Sequence, residues 1–401
     1  MTQSPTTQPR LIHKLIWITL ARLLINIGLR MVYPFAPALA RGLGVPIADV
    51  YRLITLRNLA GFFSPLFSPL SERYGRQPTM IGAMVVFSLS CLLVVIWPTY
   101  LTLGVTLALI ALTKVIFDPA MQSYVAENVA YERRGKAISF TELSWAGALL
   151  IGGPAISLAM ARQGWQAPFF WLGLLGVAAA VALWRFVPRV SKQSGNGAVN
   201  LRQTAQVIWQ YRVIWAAMIY IALAMGANET LLIVFGDWME SSFGLPLVAL
   251  GFSAGLIGLA EVTGELTAGW SVDKFGKRPI IISAGILTAL TSLIVPLTSH
   301  NLTMALIVYF GMFLFFEITV VGGVPLLTEI VPGNRAVVMS SVLAASALGR
   351  TLGSWLGPHL FITFGYVGNG VAAAVMMGAA VFVLTLWVQE GAATEGTEEN
   401  L

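Results

Sequence analysis

The chain has 401 residues, of which 57% are hydrophobic and only 10% are charged, whereas soluble proteins carry about 25% charged residues. So little charge cannot cover a water-facing surface, so a soluble globular domain is excluded and a membrane protein is predicted. The net charge of +6 comes from basic residues scattered between apolar runs, which is typical of membrane orientation and not of nucleic-acid binding.

Twelve apolar segments follow one another along the chain, each about 20 residues long or longer. They lie near residues 15–40, 48–70, 78–97, 100–126, 137–161, 167–187, 210–237, 246–271, 279–298, 302–328, 336–362 and 366–389. With a rise of about 1.5 Å per residue, each can cross a hydrocarbon core of about 30 Å as a helix. The runs are continuous and do not alternate, so we predict an all-α membrane protein with twelve transmembrane helices.

Basic residues divide unequally between the two sides of this arrangement. Sixteen fall in the start of the chain, the even-numbered connections and the longest polar segment, against three, Arg41, Arg52 and Arg162, on the other side. The positive-inside rule therefore predicts a multi-pass plasma membrane protein with both termini in the cytoplasm. We expect an N-terminal six-helix half at 1–187, a flexible cytoplasmic linker at 188–209, a C-terminal half at 210–389 and a disordered acidic tail at 390–401.

A charged turn sequence occurs twice, at equivalent places in the two halves. SERYGRQP at residues 71–78 and DKFGKRP at residues 273–279 share the order acid, base, aromatic, glycine, base and proline at a spacing of 201. Glu127 and Arg133 match Glu329 and Arg335 at a spacing of 202. The chain is therefore predicted to be two copies of one six-helix unit.

These turns resemble the signature loop of the major facilitator superfamily of secondary transporters, which runs roughly G-x-L-a-D-r-x-G-r-[KR]. The copies read SPLSERYGRQ at 68–77 and GWSVDKFGKR at 269–278. They depart from the pattern at Ser68, Glu72, Gln77 and Ser271. The resemblance implies alternating access, with a small-molecule substrate bound between the halves near the bilayer midplane.

In the family this loop latches the halves together on the cytoplasmic side. Carried over to this sequence, the resemblance implies a cytoplasmic latch formed by Glu72, Arg73, Gly75, Arg76, Asp273, Lys274, Gly276 and Lys277. The glycines allow a positive φ, and Pro78 and Pro279 suit the first turn of the next helix. A simple positive-inside anchor is the alternative interpretation.

Glycines mark two further helices. Gly147, Gly152 and Gly153-Pro154 in the fifth are similar to a motif of drug and metabolite antiporters in this family, which favours efflux. Gly349, Gly353 and Gly357 recur at the equivalent place in the eleventh. Ordinary close packing of helices in lipid explains both runs equally well.

Ionisable residues inside the apolar segments are functional candidates, because a charge at the bilayer centre costs at least about 2.5–3.5 kcal/mol. Two triplets lie on one helix face at spacings of four: Arg22, Asn26 and Arg30 in the first helix, and Lys114, Asp118 and Gln122 in the fourth. Asn228 and Glu229 lie in the seventh helix and Glu317 in the tenth. In the superfamily that this chain resembles, these four helices line the central cavity. The resemblance therefore implies a substrate cavity that contains Arg22, Asn26, Arg30, Lys114, Gln122 and Asn228.

Proton coupling requires a carboxylate that is alternately dehydrated and hydrated, because burial raises its pKa and a nearby cation lowers it. Asp118 is the first candidate, followed by Glu229 and Glu317. Lys114 and Asp118 could instead simply neutralise each other. The remaining charges are expected to form interdomain or structural ion pairs, or to take part in transport: Arg57, Glu142, Glu261, Glu265 and Arg350.

We therefore predict a monomeric, proton-driven secondary transporter that exports a small amphiphilic organic solute and needs no cofactor. One alternative is a symporter or exchanger of organic anions that uses Arg22, Arg30 and Lys114, and another is a non-transporting sensor or assembly factor. No metal spacing, nucleotide phosphate loop or nucleic-acid motif is present, and the G-x-S-x-G match at 251–255 lies in an apolar helix, so an enzyme is not expected.

Overall fold

The computed structural model describes residues 8–63, 67, 71–189 and 201–388, and in these residues all regular secondary structure is helical. The predicted disordered tail at 390–401 and residues 190–200 of the predicted linker lie outside the described residues. The described part of the linker carries a helix, Leu201–Gln210.

Among the described residues, the first half of the chain contains eight α-helices. They are α1 (Gln8–Arg30), α2 (Val32–Leu43), α3 (Ile47–Asn58), α4 (Arg76–Ile96), α5 (Tyr100–Asn128), α6 (Tyr131–Leu150), α7 (Gly152–Gln163) and α8 (Ala167–Phe186). A 3-10 turn, Leu59–Phe63, continues α3. Breaks at Met31 and Ile151 divide the first and fifth predicted spans into two helices each.

The linker helix and the second half follow. They are α9 (Leu201–Gln210), α10 (Arg212–Leu232), α11 (Phe235–Phe243), α12 (Leu247–Phe275), α13 (Lys277–Ile294), α14 (Leu302–Glu329) and α15 (Arg335–Trp387). The 53-residue α15 contains a non-helical residue, Gly365, whose φ of 64° and ψ of −168° are open to glycine and strained for other residues. Gly365 therefore separates the predicted eleventh and twelfth spans.

The described helices account for the twelve predicted transmembrane segments. Ten helical segments are long and apolar enough to cross a bilayer, and the last of them comprises two spans divided at Gly365. The second predicted span corresponds to α3 and the turn after it. The predicted all-α, twelve-helix architecture in two halves is confirmed.

The two halves repeat the same local geometry at their charged turns. Gly75 and Gly276 both adopt a positive φ, of 95° and 88°. In each half the basic residue just after that glycine pairs with an acidic residue at the end of α5 or α14. Arg76 pairs with Glu127 at 2.9 Å, and Lys277 pairs with Glu329. We call the end of the bundle that carries these turns the repeat-loop end, and the opposite end, formed by α2 and α11, the α2–α11 end.

Glycines provide two kinds of close helix contact. Within the second half, a Cβ on Gly353 would lie 2.5 Å from the carbonyl oxygen of Gly226, so α15 and α10 pack backbone to backbone. Between the halves, a Cβ on Gly153 would lie 2.7 Å from the carbonyl oxygen of Gly251, and one on Gly258 would meet the backbone of Ala146 and Leu150. Gly153 of the glycine run in the predicted fifth span thus lies at the seam between the halves, whereas Gly147 and Gly152 face Leu23 and Ile27 of α1.

Adding a methyl group to these glycines is expected to have two different effects. Gly353→Ala forces backbone apart inside one half and should lower the free energy of unfolding by about 1–3 kcal/mol. Gly258→Ala wedges α12 from α6, so it should favour separation of the halves and leave each half folded. Thermal unfolding measures the first effect, and the distance between spin labels on cysteines at Arg41 and Glu240 measures the second.

Gly269→Ala in α12 is the matched control, because a Cβ there has no neighbouring atom within 4 Å. If Gly353→Ala and Gly258→Ala lose thermal stability equally and the label distance does not change, the expectation that Gly258→Ala separates the halves is wrong.

Candidate functional site

An ion-pair cluster joins α1 to α5 in the interior of the first half. Arg22 Nε and Nη2 donate to the Asp118 carboxylate at 2.9 and 3.2 Å. Lys114 Nζ donates to Asp118 Oδ2 at 2.7 Å and to Asn26 Oδ1 at 3.0 Å. The two helical triplets therefore face each other through four of their six members, and Lys114 and Asp118 do neutralise each other in part.

Helix α6 completes this cluster with groups that the sequence analysis mostly missed. Arg22 Nη1 lies 3.0 Å from Glu142 Oε2 and donates to the backbone oxygen of Thr141 at 3.0 Å. The Asn26 amide donates to Ser144 Oγ at 3.1 Å. Uncharged hydroxyls and backbone oxygens give no hydropathy signal, so Thr141 and Ser144 could not be singled out from the sequence.

A buried ion pair connects the two halves between α1 and α12. Both Nη atoms of Arg30 donate to the Glu261 carboxylate at 2.6 Å, and the side chains are only 1% and 4% exposed. Arg30 Nη1 also donates to the backbone oxygen of Trp145 at 2.9 Å. Glu261 thus forms an interdomain ion pair. Its partner Arg30, which is predicted to line the substrate cavity, donates both Nη groups to this pair.

A second network between the halves surrounds Glu229 of α10, whose side chain is fully buried. Glu229 accepts hydrogen bonds from Tyr33 at 2.7 Å and Asn58 at 3.1 Å in the first half, and lies 3.3 Å from Arg350 of its own half. Arg57 donates to the Tyr33 hydroxyl at 2.9 Å and so reaches Glu229 indirectly. No carboxylate pairs directly with Arg57 in the described residues. The Tyr33 hydroxyl, which bonds to both side chains, therefore links Arg57 to Glu229.

Two further contacts hold the halves together at the α2–α11 end. Arg41 pairs with Glu240 at 2.6 Å, and Tyr51 donates to Asp237 at 3.3 Å. Backbone packing accompanies them, since a Cβ on Gly236 would clash with backbone oxygens of Tyr33 and Pro34. The interface is therefore bonded from the middle of the bundle to this end.

Exposure of the charged side chains rises from the middle of the bundle toward the repeat-loop end. Along α5, Lys114 and Asp118 are about one-fifth exposed and Gln122 is exposed. Glu142 of α6 is 36% exposed in its side chain. The polar cluster of the first half is thus partly exposed, and this exposure is greatest toward the repeat-loop end.

The indole of Trp145 lies among cations from three helices. Its ring centroid is 4.4 Å from the Arg30 guanidinium, 5.3 Å from Lys114 Nζ and 5.5 Å from the Arg350 guanidinium. Cations over an aromatic face are attracted by its quadrupole. Trp145 therefore lies where the charges of both halves meet. A search for ionisable residues could not select it, because an indole carries no charge.

Glu317 of α14 differs from the other candidate carboxylates in having no cation at ion-pair distance among the described residues. Its Cβ packs against Gly264 of α12, between Glu261 and Glu265 in sequence. Arg30 is close enough to act on it electrostatically but is bonded to Glu261. Glu317 thus lies near Glu261 and Glu265, and Arg30 and Arg350 act on it only from beyond ion-pair distance in the described residues.

The remaining predicted residues are less well connected. Asn228 is buried with its side-chain oxygen unpartnered in the described residues, and Gln122 is exposed. Lys274 stacks over Trp270 and Phe275, while Glu72, Arg73 and Asp273 are exposed at the repeat-loop end. Because Arg76 and Lys277 pair within their own halves, the latch between halves stays a prediction.

Comparison with known proteins agrees with this architecture. The family model of the Major Facilitator Superfamily matches residues 18–263 and 220–400. A probable sugar efflux transporter of Pasteurella multocida is 22% identical over 87% of this chain and 86% of its own length. A chloramphenicol resistance protein of Pseudomonas aeruginosa is 27% identical over 68% of this chain and 66% of its own length.

The xylose transporter XylE of Escherichia coli, in a partially occluded inward open conformation, superposes with a TM-score of 0.75. It is 18% identical, and the superposition covers 96% of this chain and 99% of XylE. With twelve spans in two halves, a repeated signature turn and a family model matching nearly the whole length, this chain belongs to the Major Facilitator Superfamily of secondary transporters.

Proposed function

We propose that this transporter exports a small amphiphilic organic solute by alternating access, coupled to proton entry. The observation that carries the proposal is the network of buried charges between the halves, above all Arg30 with Glu261, next to the partly exposed pair of Lys114 and Asp118. Charges buried at a movable interface can change partners as it opens, which is what coupling requires.

The positive-inside rule assigns the repeat-loop end to the cytoplasm, since sixteen basic residues lie on that side against three on the other. With that orientation both termini are cytoplasmic, the contacts of the α2–α11 end join the halves toward the outside, and the more exposed side of the polar cluster faces the cytoplasm. A solute that enters from the cytoplasm then meets Lys114, Asp118 and Trp145 first. Export is supported by the names of two relatives, a sugar efflux transporter and a chloramphenicol resistance protein.

The charges favour a solute with a cationic or hydrogen-bond-donating group and a flat apolar part. Glu265 is partly exposed and has no cation at ion-pair distance in the described residues, so it can accept such a group. The indole of Trp145 offers a surface for stacking. Organic anion exchange is less well supported, because Arg22, Arg30 and Lys114 each already contact a carboxylate.

Transport into proteoliposomes under an imposed pH gradient tests the proposal, with a panel of cationic, zwitterionic and anionic aromatic solutes. Gradient-dependent movement of cationic or zwitterionic solutes, opposite to the proton flux, is the expected result. Movement of anions alone would favour the organic-anion exchanger. If the protein unfolds cooperatively, and is therefore folded, but neither binds nor transports any of these solutes, a sensor or assembly factor is favoured.

A further inference from the structure

A basic cavity lies at the repeat-loop end of the first half, on three helices and the residues after the last. It has a volume of about 620 Å³ and is lined by Lys14 of α1, Gln77 of α4 and the end of α8, including Arg185 and Arg189. None of its three bases has a carboxylate within ion-pair distance among the described residues. The cavity therefore concentrates positive charge that the described residues do not neutralise.

Gln77 of α4 fixes the end of α8 at this cavity. Its amide nitrogen donates to the backbone oxygens of Val187 at 2.6 Å, Leu183 at 3.2 Å and Trp184 at 3.3 Å. These bonds fix the orientation of the amide and leave Oε1 without a partner in a side chain that is 96% buried. Oε1 is enclosed by protein, and the bonds of the amide nitrogen hold the end of α8, which leads to Arg185 and Arg189, against α4.

An apolar groove of about 370 Å³ continues from the cavity along the faces of α4 and α8. Trp184 lines both spaces, and Ile81, Val85, Val177 and Val181 line the groove. Gln77, Ile81 and Val85 follow one another at spacings of four, so they lie on one face of α4. A polar head site thus opens into an apolar channel that runs along the depth of the bilayer.

We infer that this cavity and groove bind an anionic phospholipid of the phosphatidylglycerol type. Its phosphate lies among Lys14, Arg185 and Arg189, and one acyl chain occupies the groove. Basic pockets between transmembrane helices on the cytoplasmic side attract anionic headgroups in this way. The apolar groove makes the ligand a lipid and not free phosphate.

Native mass spectrometry of the intact protein in mild detergent, titrated with phosphatidylglycerol or phosphatidylcholine of equal chain length, tests the inference. Arg185→Gln with Arg189→Gln is expected to lower the apparent affinity for phosphatidylglycerol by about tenfold, with little change for phosphatidylcholine. Arg212→Gln with Arg335→Gln is the control, because it removes two exposed arginines from the other half. Equal loss in both double variants would overturn the site, because only overall charge would then matter.

The groove is tested separately with Val85→Trp, which fills it at an exposed position. This variant is expected to lower phosphatidylglycerol affinity several-fold, and soluble glycerol phosphate is expected not to compete with the lipid. Undiminished lipid binding by Val85→Trp, or full competition by glycerol phosphate, would overturn the lipid assignment. All variants should unfold at the wild-type temperature, because the substituted residues are exposed.

Discussion

Replacing Glu261 with glutamine is expected to abolish transport and to lower the unfolding temperature markedly. The Arg30 guanidinium is 1% exposed and donates twice to Glu261 at 2.6 Å, so the variant leaves a buried cation without its anion. Breaking such a pair costs about 3–5 kcal/mol. Cys91, the single and fully buried cysteine, reports unfolding through a fluorogenic maleimide.

Two comparisons show whether the charge itself is responsible. Arg30→Met with Glu261→Met removes both partners of the pair, so it should recover most of the lost stability without recovering transport. Glu240→Gln breaks the exposed pair with Arg41, whose side chains are 60% and 31% exposed, and should cost less than about 1 kcal/mol. If the Glu261→Gln protein is as stable as the wild type, the Arg30–Glu261 pair does not stabilise the interface.

The fold could be predicted largely from the sequence because the bilayer imposes strong constraints. A spanning helix needs about 20 apolar residues, and the repeated turns with Gly75 and Gly276 revealed the duplication. The breaks at Met31 and Ile151 could not be predicted, because a kink inside an apolar run changes no composition. They matter nevertheless, since the Met31 break separates α1 with Arg30 from α2 with Tyr33.

The candidate site was less predictable than the fold. Helical spacing placed Arg22 and Asn26 on one face, and the structure brings both to Lys114 and Asp118. The partner of Arg30 could not be chosen, because several carboxylates were available and only the packing of α12 against α6, beside α1, brings Glu261 to Arg30. Uncharged members such as Trp145 and Tyr33 do not stand out among apolar residues, so the sequence gives no reason to select them. The functional roles of all these residues stay predictions.

The contacts of each candidate carboxylate change the order of the coupling hypothesis. Asp118 was the first candidate from the sequence, but Arg22 and Lys114 both bond to it and favour its charged form. Glu229 accepts two hydrogen bonds and faces Arg350. Glu317 has neither in the described residues, so it can lose its charge with the least rearrangement. A charged Glu317 would also compete with Glu261 for Arg30, which links proton binding to the pair that closes the interface.

Glu317→Gln is therefore expected to uncouple the transporter without unfolding it. Glutamine keeps the packing on Gly264 and mimics a permanently protonated carboxyl, so solute exchange should persist. Accumulation driven by a pH gradient should fall by about tenfold or more, because no proton is released.

Asp118→Asn is the matched comparison, because it removes an anion that two cations share. It should lower the unfolding temperature and impair exchange and gradient-driven transport together, since Arg22 and Lys114 then compete for Glu142 alone. Both activities are measured in the same proteoliposomes, with and without a pH gradient, so a loss of coupling is distinguished from a loss of protein. A Glu317→Gln protein that still accumulates solute against its gradient would transfer the coupling role to another carboxylate, because a group that cannot release a proton cannot carry one.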